Sequence, residues 1–210
     1  MAVVVVGDGP YDLAPIGDVP AVVRAVGMLT AVAAEVLVAG PPEAAGRALA
    51  ACAGLPVRPV EDAGAVPAGA VGPGAVSPDG AGAAAVGPIV VLHEAIRPLA
   101  PASLARAVID AVRAGAPAVV PVLPLTDTVK RVADGVLRTG PERSTLRVVQ
   151  SPVAFRACGA ALPSGALDLV ARRAAAGEAV QTVAGDPAAF ALRSEWDLEL
   201  AAMVLDGVIA

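Results

Sequence analysis

The chain has 210 residues, 56% of them apolar but only 2% aromatic, so alanine and valine carry the hydrophobic content. That length supplies one sizeable core without disulfide or metal staples. The mean hydropathy of +0.71 does not make it a membrane protein, because no run reaches the roughly 18 to 20 apolar residues of a span; residues 28–39 are cut by Glu35.

Taken in chain order, short Val/Ile-rich runs alternate with Ala-rich amphipathic stretches, the pattern of βαβ units around a mostly parallel sheet. Residues 2–6 read as a buried strand, followed by the turn-forming Gly7-Asp8-Gly9-Pro10. Asp18 is expected to cap a helix running to about residue 33, with Pro20 in its first turn. Residues 35–39 and 55–60 read as strands and 42–51 as a helix between them. Residues 62–87 are Ala, Gly, Pro and Val without clear period, expected as a surface loop with room for a helix at 79–86.

A strand at 89–92 then ends in His93-Glu94, and Pro101 opens a helix to residue 114, closed by Gly115, with Leu104, Val108 and Val112 on one face. Residues 118–122 are the next strand. Residues 129–139 alternate apolar and charged around Asp134-Gly135, which predicts an exposed β-hairpin. A strand at 146–150 leads into Ser151-Pro152. A helix from about 165 to 176 follows between Ser164 and Gly177, then short strands at 180–184 and 189–192. Ser194-Glu195-Trp196-Asp197 is a capping-box-like start for a last helix to about residue 205.

Charge divides unevenly along this order. Residues 1–96 hold three arginines against nine acids, a net −6; residues 97–150 are +4 and residues 151–210 are −3. Only the middle third favours anions, and no basic stripe with interleaved aromatics suggests nucleic acid. Met1 to Val6 shows no basic flank, so no signal peptide is read there. Cys52 and Cys158 stand far apart without a CxxC, which fits a reducing, cytoplasmic setting rather than zinc.

Candidate chemistry is sparse. There is no Walker loop, GxSxG, HExxH or paired Cys/His spacing. Gly7 and Gly9 after the first strand are a weak phosphate cradle, since Pro10 and Asp12 depart from GxGxxG; an ordinary turn is the commoner reading of such a stretch and needs no further account. His93, the only histidine, sits at a strand's C-terminal end, where open α/β sheets bind ligands, though a local hydrogen-bonding role is the commoner fate of such a residue. Glu94 and Arg97 just beyond suit a divalent ion and a phosphate, or a surface ion pair. Asp127, Thr128 and Arg143 flank the hairpin, as a site or as a solvated charged arm.

Val91-Leu92-His93-Glu94-Ala95-Ile96-Arg97-Pro98 resembles the Val-His-Asp-Ala-Ala-Arg-Pro signature of the 2-C-methyl-D-erythritol 4-phosphate cytidylyltransferases. Val119-Val120-Pro121-Val122 and Asp127-Thr128-Val129-Lys130 continue that likeness in register. So do Arg143, Gln150-Ser151-Pro152-Val153-Ala154-Phe155 and the stretch from Gly185 to Ala201. The resemblance, over roughly residues 88–205, implies one Rossmann-like nucleotidyltransferase domain spanning 1–210. Residues 127–150 would be a β-arm clasping a second copy in a homodimer. It also implies CTP and Mg²⁺ as co-reactants, with a sugar-alcohol phosphate attacking the α-phosphorus and releasing pyrophosphate. By position, Arg97, Thr128, Arg143 and Ser151 would hold the sugar phosphate, and Glu94 would stand where an Asp contacts metal.

The departures gather on the nucleotide side. The family's Gly-rich loop with its Arg and Lys is replaced by Gly7-Asp8-Gly9-Pro10-Tyr11-Asp12, residues 63–86 contain no Arg or Lys, and Ala191 stands where a second lysine is usual. Lys130 is the only lysine. Two expectations follow: a divergent cytidylyltransferase, or a catalytically silent paralogue acting as a binding or regulatory subunit.

Overall fold

The computed structural model describes residues 1–60, 87–157 and 161–208; the loop and helix expected within 62–86 lie outside these. The chain opens with β1 (Ala2–Val5), a short 3₁₀ turn (Pro10–Asp12), and a small hairpin of β2 (Pro15–Ile16) and β3 (Val19–Pro20) leading into α1 (Ala21–Thr30). This corrects the expected cap at Asp18. A residue before proline is pushed out of the α region, so Val19 is extended and pairs with Ile16, and the helix starts only after Pro20, which caps it without a side-chain bond.

Next come β4 (Val36–Ala39), α2 (Pro42–Ala51), β5 (Val57–Pro59), β6 (Ile89–Glu94), α3 (Ala102–Arg113) and β7 (Ala118–Pro124). Leu104, Val108 and Val112 are buried along α3, the face read from their spacing. The chain continues through β8 (Arg131–Ala133), β9 (Val136–Arg138), β10 (Arg147–Val149), β11 (Val153–Arg156), α4 (Ala166–Ala175), β12 (Gln181–Ala184) and α5 (Glu195–Leu205).

The main sheet has the order β10-β7-β11-β6-β1-β4-β5, with β12 also paired to β7. The pairs β1·β4, β1·β6, β4·β5 and β7·β12 are parallel. Strand β11, unread in the sequence, lies antiparallel between β6 and β7, and β10 is antiparallel to β7. The architecture is therefore an α/β, mostly parallel mixed sheet. Alternate residues of β1 point to opposite faces: Val4 joins Val22, Val26, Val38 and Val112 on one side. Val3 joins Leu37, Leu92, Phe155 and Leu169 on the other.

Residues 189–192, expected as a strand, instead begin with the last residue of a 3₁₀ turn (Pro187–Ala189) and continue without regular structure; the Ala189 carbonyl is taken by the side chains of Arg97 and Gln150 rather than by a strand neighbour. The start of α4 also differs: Gly165 is its N-cap, and Ser164 donates its N–H and hydroxyl to Asp168 at 2.8 and 3.1 Å. At α5 the reading from sequence holds, with Ser194 Oγ accepting from the Asp197 N–H at 3.3 Å. Ser194→Ala should cost about 1 kcal/mol, read as a lower urea midpoint with an unchanged slope.

Among the described residues the hairpin of β8 and β9 pairs only with itself, turning at Asp134 and Gly135 with φ of 53° and 73°, as a type I′ turn requires. Its apolar side chains face outward, Val132 being 64% and Leu137 72% exposed. Among the described residues no helix is long and apolar enough to cross a membrane.

Candidate functional site

The C-terminal ends of β1, β4 and β6 face the same edge of the sheet, where open α/β folds place ligands. His93 lies at that end of β6, fully buried. Its Nε2 is 3.1 Å from the Arg97 carbonyl and its Nδ1 3.1 Å from Ser151 Oγ. A carbonyl only accepts, so Nε2 carries the proton and Nδ1 accepts from the Ser151 hydroxyl. Ser151 Oγ in turn accepts the Glu94 N–H at 3.1 Å. Burial, and then the neighbouring Arg97 charge, lower the His93 pKa to about 3. This neutral, occupied imidazole fixes the strand end and is no solvent-facing base.

Arg97, 7% exposed, spends its guanidinium inside the protein. Nε donates to Glu94 Oε2 at 3.0 Å, Nη1 to the Ala189 carbonyl at 2.7 Å and Nη2 to the Val149 carbonyl at 3.2 Å. The other Glu94 oxygen accepts the Ala166 N–H at the start of α4, 3.3 Å away. Gln150, missed in the sequence reading, completes the brace: its amide donates to the Asp186 carbonyl at 2.8 Å and accepts the Asp186 N–H at 3.0 Å. A methyl group added at Gly185 would collide with Gln150 Oε1 and lie 3.0 Å from Leu123 and Val122. Gly185→Ala should therefore cost about 1–3 kcal/mol, checked by thermal melting.

Arg97, Ser151 and Glu94 are thus brought together, while Thr128 and Arg143 stand apart on the exposed base of the arm. Arg143 donates to the Thr126 carbonyl at 2.9 Å. With Arg147, Pro124, Leu125 and Glu142 it lines an open pocket of about 400 Å³.

The larger pocket, about 600 Å³, lies over β1 and β6 and is lined by Gly7, Asp8, Asp12, Glu94, Ile96 and Leu162 among others. Gly7 and Gly9 carry the chain past Asp12 at the edge of this pocket. The Gly7 N–H donates to Asp12 Oδ1 at 3.1 Å, and ideal methyls at Gly7 and Gly9 would lie 3.7 and 3.6 Å from Asp12 Oδ2. Burial pushes the Asp12 pKa up, opposed by that Gly7 bond. The start of α2 beside it presents Pro41 and Pro42, which have no N–H to offer an anion. No Lys or Arg lines this pocket. The sequence outside the described residues contains none either.

A divalent ion does not fit these side chains as protein ligands. Both Glu94 oxygens are engaged by Arg97 and Ala166, and no group of three or more His, Cys, Asp or Glu among the described residues is placed to hold one.

Comparison with known proteins gives one consistent result. The family model described as IspD, 2-C-methyl-D-erythritol 4-phosphate cytidylyltransferase, matches residues 81–207. A 2-C-methyl-D-erythritol 4-phosphate cytidylyltransferase from Nocardia farcinica is 43% identical over 121 residues, 55% of this chain and 53% of that protein. One from Rhodococcus jostii is 42% identical over 125 residues, 56% of this chain and 55% of that protein. In these alignments the chain spans about half the length of the curated relatives it matches. The crystal structure of the Thermus thermophilus enzyme of that name superposes with a TM-score of 0.67 at 25% identity, covering 98% of both chains. A 4-diphosphocytidyl-2C-methyl-D-erythritol synthase from Anaerococcus prevotii superposes at 0.66 and 16% identity, covering 98% of this chain and 96% of that one, a likeness of fold.

Proposed function

The chain belongs to the 2-C-methyl-D-erythritol 4-phosphate cytidylyltransferase family, and from that membership we propose that it is a catalytically silent relative, a cytoplasmic binding or regulatory subunit that pairs with a second copy through its arm at 127–150. The observation that carries this reading is the loop after β1, which closes on its own Asp12 carboxylate in a pocket without a cation. Nucleotidyl transfer rests on positioning and on stabilising charge that builds on phosphates. A nucleoside triphosphate brings about four negative charges to a wall that here offers Asp8, Asp12 and Glu94. Losing one preorganised donor typically costs about 100- to 1,000-fold in rate, and several are replaced here at once.

The arm supports pairing. A two-stranded hairpin is marginal alone, and this one exposes Val132, Val136 and Leu137 until something covers them.

A second reading is an active cytidylyltransferase that takes CTP together with Mg²⁺. It is favoured by the open arginine pocket at the arm base, where Arg143 and Arg147 suit the sugar phosphate, with Thr128 nearby. Incubation with CTP, Mg²⁺ and methylerythritol phosphate separates the two. The silent reading expects pyrophosphate release more than about 100-fold below a typical turnover of about 10 per second, and no calorimetric heat with CTP. Turnover within that hundredfold replaces it with the second reading.

A further inference from the structure

Like charges stand opposite each other across the arm. In its ladder Arg131 faces Arg138 and Ala133 faces Val136, so these four side chains share one face of the hairpin. Both arginines and Val136 are exposed, and among the described residues neither arginine forms a salt bridge. A like-charge pair in directly opposed positions destabilises a ladder, and a two-stranded hairpin has little stability to lose.

Helix α5 presents the complement. At about 100° per residue, Glu195, Trp196, Glu199, Met203 and the C-cap Asp206 fall within an arc of about 100°, and all five are exposed. Ala201, on the opposite side, is buried. Glu195 and Glu199 stand one turn apart and repel each other, and neither forms a salt bridge among the described residues. Trp196, the only tryptophan of the chain, is 70% exposed. Tryptophan and methionine are the side chains that protein interfaces gather. Within one chain no salt bridge among the described residues joins the arm to α5, which rests on β2.

The two faces also match in spacing. Val136 and Arg138 are two strand residues apart, about 7 Å; Glu199 and Met203 are four helical residues apart, about 6 Å. Resting on the reading that the arm pairs with a second copy, we propose that the arm of one copy lies along α5 of the other. Arg131 and Arg138 meet the partner's Glu195 and Glu199, and Val136 meets the partner's Met203. Each contact relieves a repulsion inside its own element, and an arginine over the indole of Trp196 adds the attraction of a cation for the ring face. A two-fold axis makes the contact twice. A second α5 is no alternative occupant, because this face carries three acids and no base, and two copies of it would repel.

The test uses the full chain, with sedimentation velocity for the dimer and Trp196 emission for the contact, both over a dilution series. The emission should move to the red as the dimer dissociates and Trp196 returns to water, a readout that needs no substitution. Reversing the arm, with Arg131→Glu and Arg138→Glu together, should weaken the dimer about tenfold or more. Reversing the helix, with Glu195→Arg and Glu199→Arg together, should do the same. The two reversals combined should restore the dimer to within about threefold of the parent. All four positions are exposed, so the variants keep their cores. A dimer weakened by the arm reversal but not by the helix reversal overturns the proposal and leaves pairing through the arm standing. So does a dimer whose Trp196 emission equals the monomer's, or a combined variant no tighter than either reversal alone. A chain that stays monomeric throughout, or a dimer that the arm reversal does not touch, overturns the proposal and pairing through the arm together.

Discussion

Replacing Arg97 with alanine is expected to destabilise the protein by about 3–5 kcal/mol, the cost of breaking a buried ion pair by removing one partner. The Arg97 side chain is 8% exposed and that of its Glu94 partner 22%, so solvent screens this pair little. Its loss leaves Glu94 supported only by the Ala166 N–H and deprives the Val149 and Ala189 carbonyls of a charged donor. Those carbonyls belong to the end of β10 and the turn before residue 190, so three segments lose their common tie. Arg97→Lys should recover only part of the loss, since a single ammonium cannot span the fork of contacts that a planar guanidinium reaches. Urea unfolding measures both variants. A stability within about 1 kcal/mol of the parent would show that Arg97 is held for a ligand and not for the fold, and would return it to the sugar-phosphate role that its place in the family motif implies.

Acidification should unfold the protein early, and His93 sets the window. An unfolded histidine takes up a proton near pH 6.5, whereas the buried one does so only at about 3. Between these values the unfolded chain binds more protons, so stability falls as pH falls, by up to about 1.4 kcal/mol per unit. About 2 kcal/mol should be gone by pH 5. Within that range the effect is clean. Nearer the carboxylate range, Asp12, whose pKa burial raises, works in the opposite sense, and Asp168 and Asp197, held low by their hydrogen bonds to Arg172 and Ser194, work in the same sense as His93. Urea midpoints from pH 7 to pH 5 measure the slope, and His93→Gln, though less stable at pH 7, should flatten it. A parent protein with a level profile over that range would mean that His93 is reached by water and protonated in the fold.

The sequence was read most accurately where local chemistry and tertiary demand agree. Helix α3 was marked by Leu104, Val108 and Val112 on one side and Gly115, at φ +117°, beyond its end. The arm was marked by Asp134-Gly135, whose two positive φ values few other pairs adopt. Helix α5 was marked by Ser194 and the Asp197 amide that it accepts. In each case the information lies within a few residues, so it survives without the rest of the chain.

Where long-range partners decide, local sequence is not enough. Strand β11 is four residues after Pro152 with no alternation of its own, and it exists because β6 and β7 leave it a place to pair. Residues 189–192 were extended enough to suggest a strand, but the Ala189 carbonyl is claimed by two side chains from far along the chain.

For the site, the sequence by itself determined the family, the apolar framework and the shortage of positive charge in the first 96 residues, because motif spacing and charge are additive along a chain. Only the tertiary structure decided what those charges do. It turned Arg97 inward onto three segments and sealed His93 against Ser151. It also folded the loop after β1 around Asp12, because desolvation and hydrogen-bond geometry depend on which groups meet in space and not on how far apart they stand in sequence.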